Sequence, residues 1–276
     1  MKSLLLAGVT VLAVSPAFAQ GDIARGEYLV QSIMGCGNCH TPIGPEGFDM
    51  ANDLTGRLVE DSAAFTAIAP NITPASRIAD WSDAELGKAI REGVRPDGTI
   101  IGPPMPFAAY RAISDDDLAS VVAYLRTVPA IESDAGTSTY NIPLPPAYGP
   151  PIESVAAPAA GETVEYGAYL AAVGHCMECH SPMTPTGPDW GAGFARGGFE
   201  FHGPWGVSVA PNLTNHPEGL ADYTDAEIAQ MITTGTRPDG SPMLPPMPYP
   251  YLAKMTPQDL NALVLYLRSI PGAPDA

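Results

Sequence analysis

Two short cysteine motifs constrain this chain more than any other feature. The stretch CGNCH at 36–40 recurs as CMECH at 176–180, and together the two copies contain all four cysteines of the 276 residues. Within one helical turn the two sulfurs reach the vinyl groups of a porphyrin, and the next side chain reaches its iron. This is the pattern of covalent c-type haem attachment. The sequence therefore predicts two haem c groups, one held by Cys36, Cys39 and His40 and the other by Cys176, Cys179 and His180.

Two other interpretations of a Cys-x-x-Cys pair compete with haem attachment, namely half of a zinc site and a redox-active dithiol. A zinc site needs two further ligands at matching spacing, and neither copy has a second cysteine pair nearby. Four thioether bonds would use every cysteine, so the haem reading also predicts that the chain has no structural disulfide.

The motifs belong to a duplication of the whole chain. The cysteine motifs lie 140 residues apart, and identical stretches recur 142 residues apart in the same order, namely RPDG at 95–98 and 237–240, PPMP at 103–106 and 245–248, and YLR at 124–126 and 266–268. Residues 131–160 are rich in Pro and Ala, which is typical of a semi-rigid linker or strap. We predict an all-α, loop-rich protein with two tandem domains at 20–130 and 161–276, here named the first and second unit.

The N-terminus has the three parts of a secretory signal at residues 1–19. A lysine at position 2 precedes an apolar run, and Ala-Phe-Ala then offers a cleavage site. The mature chain should start near Gln20 in the periplasm, where c-type haem is attached. After the signal no apolar run approaches the roughly 18 residues that a membrane span needs, although peripheral docking to a membrane complex stays open.

The formal net charge is −17. A surface this acidic repels nucleic acid and anionic lipid, and it steers basic partners toward the protein. Solubility alone is the alternative reason for such a charge.

Helix signals repeat in both units. A first helix should run from Gly21 to Met34 into the first cysteine motif. SDAE at 82–85 and TDAE at 224–227 are capping boxes, and the helices that they start should end at Gly93 and Gly235. Each unit should close with a helix that begins at Ser114 or Thr256. APNIT at 69–73 and APNLT at 210–214 also match a glycosylation signal, but their recurrence beside a haem motif disfavours that reading.

The second axial ligand of each iron decides between electron carriage and chemistry. Met105 and Met247 are the only methionines that coincide in the two repeats, and both lie between prolines on a loop before the last helix. Ligation by His and Met raises a haem's reduction potential. The alternatives are that a methionine only fills a core gap, or that Met243, His175, His202 or His216 is the ligand. Candidates for binding haem propionates are Arg25, Arg95 and Arg237.

This order of motifs resembles the bacterial class I cytochrome c fold in tandem, a dihaem cytochrome c. It is similar, more narrowly, to the cytochrome subunits of periplasmic alcohol, sorbitol and gluconate dehydrogenases, which commonly carry three haems and a membrane-binding tail. The resemblance implies that the carbonyls of Pro70 and Pro211 accept the Nδ1 proton of the two ligating histidines and so orient them.

Two functions follow as hypotheses. The first is an electron carrier, with no catalytic residue of its own, that passes single electrons from a periplasmic dehydrogenase or another cytochrome toward a terminal oxidase. The second is a dihaem enzyme of the peroxidase or thiosulfate dehydrogenase type, with one open or displaceable haem ligand. Binding of carbon monoxide to the reduced protein distinguishes the two.

Overall fold

The computed structural model describes residues 21–185 and 187–276. The predicted signal at 1–19 therefore lies outside the described residues. Within the described ranges, no helix combines the length and the apolarity that crossing a bilayer requires.

The first unit contains five helices and four strands among the described residues. In chain order they are α1 (Ile23–Gln31), α2 (Gly37–His40), β1 (Ile43–Gly44), β2 (Gly47–Phe48), β3 (Arg57–Asp61), β4 (Phe65–Ala69), α3 (Asp83–Glu92), α4 (Phe107–Tyr110) and α5 (Asp115–Leu125). Two 3₁₀ turns lie at Met50–Asn52 and Arg77–Asp80. The segment after α5 adds one further strand, β5 (Thr139–Tyr140).

The second unit repeats this order. Its elements are α6 (Val164–Val173), α7 (Cys176–Cys179), β6 (Met183–Thr184), β7 (Gly187–Pro188), β8 (Glu200–Gly203), β9 (Gly206–Val209), α8 (Asp225–Thr234), α9 (Tyr249–Leu252) and α10 (Pro257–Ser269).

The predicted helix boundaries of α3 and α8 are confirmed. Both helices begin with a complete capping box, in which the Ser82 or Thr224 side chain accepts from the amide three residues on while the glutamate there accepts from the cap. Both end at a glycine in the left-handed region, Gly93 at φ 69° and Gly235 at φ 64°. These signals are local in sequence, so neighbouring residues suffice to predict them.

A helix crossing forms the core of each unit. α1 packs on α5, and α6 packs on α10, with Gly26 and Gly167 at the contact points. A Cβ at either glycine would lie 1.9 Å from a backbone carbonyl oxygen of the facing helix, that of Ser120 or of Ala262. Only glycine permits this approach, and the paired helices then enclose a core that includes Leu29 and Leu170, both fully buried.

The prediction of an all-α protein is correct only in part. The loops after the cysteine motifs, which the sequence suggests are irregular, fold back on themselves as short antiparallel ladders, so that the described residues contain four small sheets. In the largest, β4 pairs with β3 on one side and with β5 on the other. Glycines close two of these hairpins, because Gly47 and Gly206 adopt positive φ of 108° and 94° at the turns.

The segment between the units lies against the first unit. The hydroxyl of Tyr140 donates to the carbonyl of Pro103 at 2.9 Å, and that of Tyr148 donates to the carbonyl of Ile101 at 2.8 Å. Further along, the amide of Asp115 donates to the carbonyl of Val155 at 2.9 Å. The segment therefore holds the loop that carries Met105 in place.

The units meet across a reciprocal contact. The hydroxyl of Tyr28 donates to Asp259 at 2.7 Å, and its counterpart in the second unit, Tyr169, donates to Asp117 at 2.6 Å. Each tyrosine thus crosses to the N-terminus of the other unit's last helix. Arg25 binds Asp117 through two contacts of 2.8 Å. Because the two tyrosine contacts mirror each other, the units are related as in an isologous two-fold dimer, and the Arg25 contact is the exception to this symmetry.

Candidate haem-binding sites

Each cysteine motif forms a single helical turn, and the residue before each motif has the same left-handed conformation. The amide of the histidine donates to the carbonyl of the first cysteine, at 3.0 Å in the first motif and 3.1 Å in the second. The residue before each motif is left-handed, Gly35 at φ 54° and His175 at φ 46°. A turn of this hand directs the chain from the preceding helix into the motif. His175 has this conformation although it carries a Cβ, which is uncommon outside functional positions.

The two predicted ligand histidines are buried and held by backbone carbonyls. Nδ1 of His40 lies 2.8 Å from the carbonyl oxygen of Pro70, and Nδ1 of His180 lies 2.8 Å from that of Pro211. Burial lowers the pKa of both imidazoles, against the opposing effect of the carbonyl. A neutral ring that donates through Nδ1 keeps the lone pair of Nε2 for a metal.

Hydrogen bonds of the asparagine that follows each proline fix the position of the proline carbonyl. The side chain of Asn71 donates to the carbonyl of Ile131 and accepts from the amide of Thr73, each at 2.8 Å. Asn212 makes the same pair of contacts with Ala273 and Thr214, also at 2.8 Å. These contacts explain the repeated Ala-Pro-Asn-x-Thr motif, since both asparagines are buried and bonded. They are not surface asparagines of the kind that carry a glycan.

The four cysteines are partly buried, and no two of them form a disulfide. Burial raises the pKa of Cys39, and it raises that of Cys36 and Cys179 to about 12 and that of Cys176 to about 11. The surroundings therefore favour an uncharged sulfur, which a thioether also is. They do not favour a reactive dithiol, which needs a stabilised anion, and among the described residues no group of three or more His, Cys, Asp or Glu side chains is arranged to hold a zinc ion.

The two candidate methionines lie in equivalent places. Met105 and Met247 are half-buried, and both pack against the hydrophobic core. The carbonyl of Met105 accepts a hydrogen bond from the amide of Phe107, and that of Met247 accepts one from the amide of Tyr249, both at 2.9 Å. These contacts lie at the starts of α4 and α9. Met243 is also half-buried and packs against the same core.

The three arginines that the sequence suggests as propionate partners all contact protein atoms. Arg25 pairs with Asp117 at the interface between the units. Arg95 donates to the carbonyl of Ile100 at 2.9 Å, and Arg237 donates to that of Pro242 at 3.0 Å, so each closes its own turn.

Arg57 is a residue that the sequence reasoning missed. Its guanidinium donates to the carbonyl of Asn38 inside the first motif at 2.6 Å, and its charge helps to lower the pKa of His40. Its Nε is buried and has no hydrogen-bond partner among the described residues. A buried N–H beside a haem motif suits the carboxylate of a propionate. No motif marked this arginine, because its counterpart in the repeat is Gly198.

Each motif also contacts the other unit. The ring of Tyr251, which is 1% exposed, packs on Gly37, where an added Cβ would lie 2.1 Å from its hydroxyl oxygen. In the opposite direction the ring of Tyr110 lies edge-on to His175, with ring centroids 6.0 Å apart. Burial lowers the pKa of His175 to about 4, so this histidine is neutral and enclosed.

A carboxylate lies inside the second motif, at the same seam between the units. Burial raises the pKa of Glu178 to about 7, although a hydrogen bond from the backbone of Ala109 in the other unit opposes the shift. Tyr251 of the second unit packs on Gly37, and Tyr110 of the first unit lies edge-on to His175, so both motifs lie at the seam between the units.

Both halves of the chain match family models of c-type cytochromes. Residues 164–271 match the family described as Cytochrome c, and residues 21–125 match the family described as Cytochrome C oxidase, cbb3-type, subunit III. The chain is a tandem cytochrome c. Two such domains, each with its Cys-x-x-Cys-His motif, bind two haem c groups.

Curated relatives of this tandem cytochrome c include dehydrogenase subunits. The fructose dehydrogenase cytochrome subunit of Gluconobacter japonicus is 30% identical over 98% of the chain and 58% of the relative. The cytochrome c subunit of the quinone alcohol dehydrogenase of Gluconobacter oxydans is 27% identical over 98% of the chain and 60% of the relative. A dihaem c-type cytochrome of Cereibacter sphaeroides is 29% identical over 91% of the chain and 87% of the relative. The chain thus spans about 60% of the length of the two dehydrogenase subunits.

These names agree with the predicted resemblance. They do not favour the alternative of a peroxidase or thiosulfate dehydrogenase, because these relatives are named as cytochrome subunits of dehydrogenases and as a dihaem cytochrome.

Proposed function

We propose that this tandem cytochrome c is a periplasmic electron carrier that takes single electrons from a dehydrogenase and passes them through its two haems to a terminal acceptor. The observation that carries the proposal is the buried His–Pro pair, which recurs in both units with the same 2.8 Å contact beside a cysteine pair. A ligand fixed in this way keeps its geometry while the iron changes oxidation state.

The residues assigned to the haems follow from this geometry. Cys36 and Cys39 bind the first haem covalently, with His40 as its proximal ligand. Cys176, Cys179 and His180 do the same for the second haem. Met105 and Met247 supply the remaining axial ligands, since their half-buried loops are equivalent in the two units. Pro70 and Pro211 orient the histidines.

The arrangement of the units supports transfer between the haems. Both motifs lie at the seam between the units, where Tyr251 packs on Gly37 and the ring of Tyr110 lies edge-on to His175. The reciprocal tyrosine contacts hold this spacing. A donor that reduces one haem therefore gives the electron a short path to the other.

The relatives support a dehydrogenase as the partner class. Their names place cytochrome subunits beside fructose and alcohol dehydrogenases. The net charge of −17 favours a donor or acceptor with a basic docking face.

A ferric absorption spectrum with a redox titration tests the proposal. We expect two one-electron steps and a methionine–iron charge-transfer band. Met105→Ala and Met247→Ala should each remove about half of that band and lower one potential, because a thioether ligand raises it. Met243→Ala is the matched control and should leave both unchanged.

Two results would count against the carrier. An unchanged band in Met105→Ala or Met247→Ala would move the axial ligand of that haem elsewhere. Ready binding of carbon monoxide by the reduced wild-type protein would reveal an open iron and favour the enzyme.

A further inference from the structure

The two units differ most clearly at the outer edge of one hairpin. In the first unit, β4 is covered on its outer side by β5, with Phe65 opposite Tyr140 and Thr66 opposite Thr139. The equivalent strand of the second unit, β9, pairs with β8 alone among the described residues. The duplication therefore provides a covered and an uncovered copy of the same edge.

The cover in the first unit is specific. The hydroxyl of Ser138 accepts from the amide of Ile68 at 2.9 Å and donates to its carbonyl at 3.1 Å. An added Cβ at Gly136 would lie 3.0 Å from Cδ1 of Ile68, so the segment also closes over that side chain. As a result Ile68 is only partly exposed.

The uncovered edge is apolar. Val209, the counterpart of Ile68, is 54% exposed, and Val207 is 48% exposed. Trp205 lies at the adjoining hairpin turn and is 37% exposed. Soluble proteins usually blunt an open edge with a charge, a proline or a bulge. β9 carries neither a charged residue nor a proline, and its ladder with β8 has no register shift.

The backbone of this edge is also oriented for pairing. Ala210 directs both of its polar groups to the hairpin, since its amide donates to Phe199 and its carbonyl accepts from Gly198, each at 2.9 Å. Antiparallel pairing alternates along a strand. Val209 and Val207 consequently direct their N–H and C=O groups outward.

We propose that the outer edge of β9 is a docking site for an extended segment of a partner protein, which adds a strand to the β8–β9 hairpin. The segment covering β4 shows the chemistry that fits: small hydroxyl residues against the strand backbone, and an aromatic side chain at the end of the pairing. Strand addition of this kind is a common mode of peptide recognition.

The occupant is a different protein and not a second copy. Two copies would each bring a net charge of −17 to the contact. Glu200, which lies directly opposite Val209 on β8, adds an exposed carboxylate beside the edge. A segment with flanking basic residues is therefore the complementary partner.

The edge is near the second haem ligand. β9 ends at Val209, and Pro211, whose carbonyl contacts His180, follows two residues later. A partner docked here would exchange electrons with the second haem, a consequence that rests on the proposed function. The docking itself does not.

Hydrogen exchange on the haem-loaded protein tests the docking site. The probe is a synthetic peptide with the sequence of residues 136–141 flanked on each side by two lysines. In the free protein the amides of Val207 and Val209 should exchange as exposed groups, whereas that of Ser208, in the ladder, is protected. Saturating peptide should slow exchange at both valines at least tenfold and leave Ile68 unchanged.

Two variants make the test specific. Val209→Pro removes an outward N–H without touching the β8 ladder, and it should abolish protection at Val207. If it fails to fold, Val207→Lys with Val209→Lys keeps every amide and places charges on the edge, and should weaken peptide binding at least tenfold. Folding is checked by far-ultraviolet circular dichroism and the haem spectrum.

Three outcomes would overturn the proposal: no protection at millimolar peptide, protection that maps outside β9, or valine amides already protected in a concentration-dependent dimer. None of these outcomes alters the methionine–iron band. A failure of docking is therefore distinguishable from a failure of the proposed carrier.

Discussion

The reciprocal tyrosine contacts predict that Tyr28→Phe and Tyr169→Phe destabilise the protein by different amounts. Tyr169 is the more deeply buried of the two tyrosines, so burial alone would predict that Tyr169→Phe loses more stability. The hydrogen bonds of the two carboxylates predict the opposite order. Asp117 keeps two hydrogen bonds of 2.8 Å from Arg25 when the Tyr169 hydroxyl is removed. Asp259 has no other hydrogen-bond donor among the described residues, and Arg25 lies 4.0 Å from it.

The magnitudes follow from these carboxylate partners, since the other contact is alike in the two tyrosines: each hydroxyl also accepts a hydrogen bond from a backbone amide at 3.2 Å, that of Ser114 for Tyr169 and that of Thr256 for Tyr28. A hydrogen bond to a charged group contributes about 1.5–3 kcal/mol, and a buried charge left without a donor lies at the upper end of that range. We expect Tyr169→Phe to lower the free energy of unfolding by about 1–1.5 kcal/mol and Tyr28→Phe by about 2–3 kcal/mol. The difference of about 1 kcal/mol corresponds to roughly 2–4 °C in melting temperature.

Guanidinium denaturation of the haem-loaded protein, followed by far-ultraviolet circular dichroism, measures both changes. Tyr223→Phe is the control, since its hydroxyl has no hydrogen bond among the described residues, and it should stay within about 0.5 kcal/mol of wild type. Adding Asp259→Asn to Tyr28→Phe should recover part of the loss, because it removes the stranded charge. The reasoning is refuted if Tyr169→Phe costs as much as Tyr28→Phe.

Three further changes have defined outcomes in the same denaturation assay. Gly26→Ala or Gly167→Ala should cost about 1–3 kcal/mol by forcing the crossing helices apart, although alanine normally gains about 1 kcal/mol in a helix. The free energy of unfolding should fall from pH 10 to pH 12. Burial raises the pKa of Tyr28 to about 12, so the folded state keeps a proton that the unfolded state releases in this interval. The Tyr28→Phe variant should therefore lose less stability than wild type between pH 10 and pH 12. Asn212→Ala should cost about 1–3 kcal/mol, because the buried Thr214 amide loses its acceptor, whereas the Ala273 carbonyl keeps the hydrogen bond from the Thr214 hydroxyl.

Local signals account for what could be predicted from the sequence. The capping boxes at Ser82 and Thr224 involve residues three apart, and the cysteine motifs span five, so neighbouring residues define them. The repeat also selects Met105 and Met247 over unpaired methionines such as Met243, because only these two recur, and their role as iron ligands stays a prediction.

The missed features depend on pairing over long sequence separations. Tyr28 reaches Asp259 across 231 residues, and Asp259 lies in the first turn of its helix, where an acidic residue is common without any distant partner. β5 pairs with β4 across about 70 residues, within a stretch whose composition indicates only a linker. The recurrence of Tyr28 and Tyr169 at equivalent positions was the one available signal, since a repeated tyrosine hydroxyl needs a partner when it is buried.

The two-fold arrangement explains why the units have diverged where they meet. At such an axis a residue faces its own counterpart, and here Arg25 donates to Tyr166, the equivalent position of the second unit, at 3.3 Å. Two separate identical chains would have to place Arg against Arg or Tyr against Tyr at this point. Duplication within one chain lifts that restriction, so a single guanidinium can bind Asp117 and lie near Asp259 while the opposite position supplies a neutral hydroxyl. The same freedom allows one hairpin edge to be covered by β5 while its copy, β9, stays open for a partner.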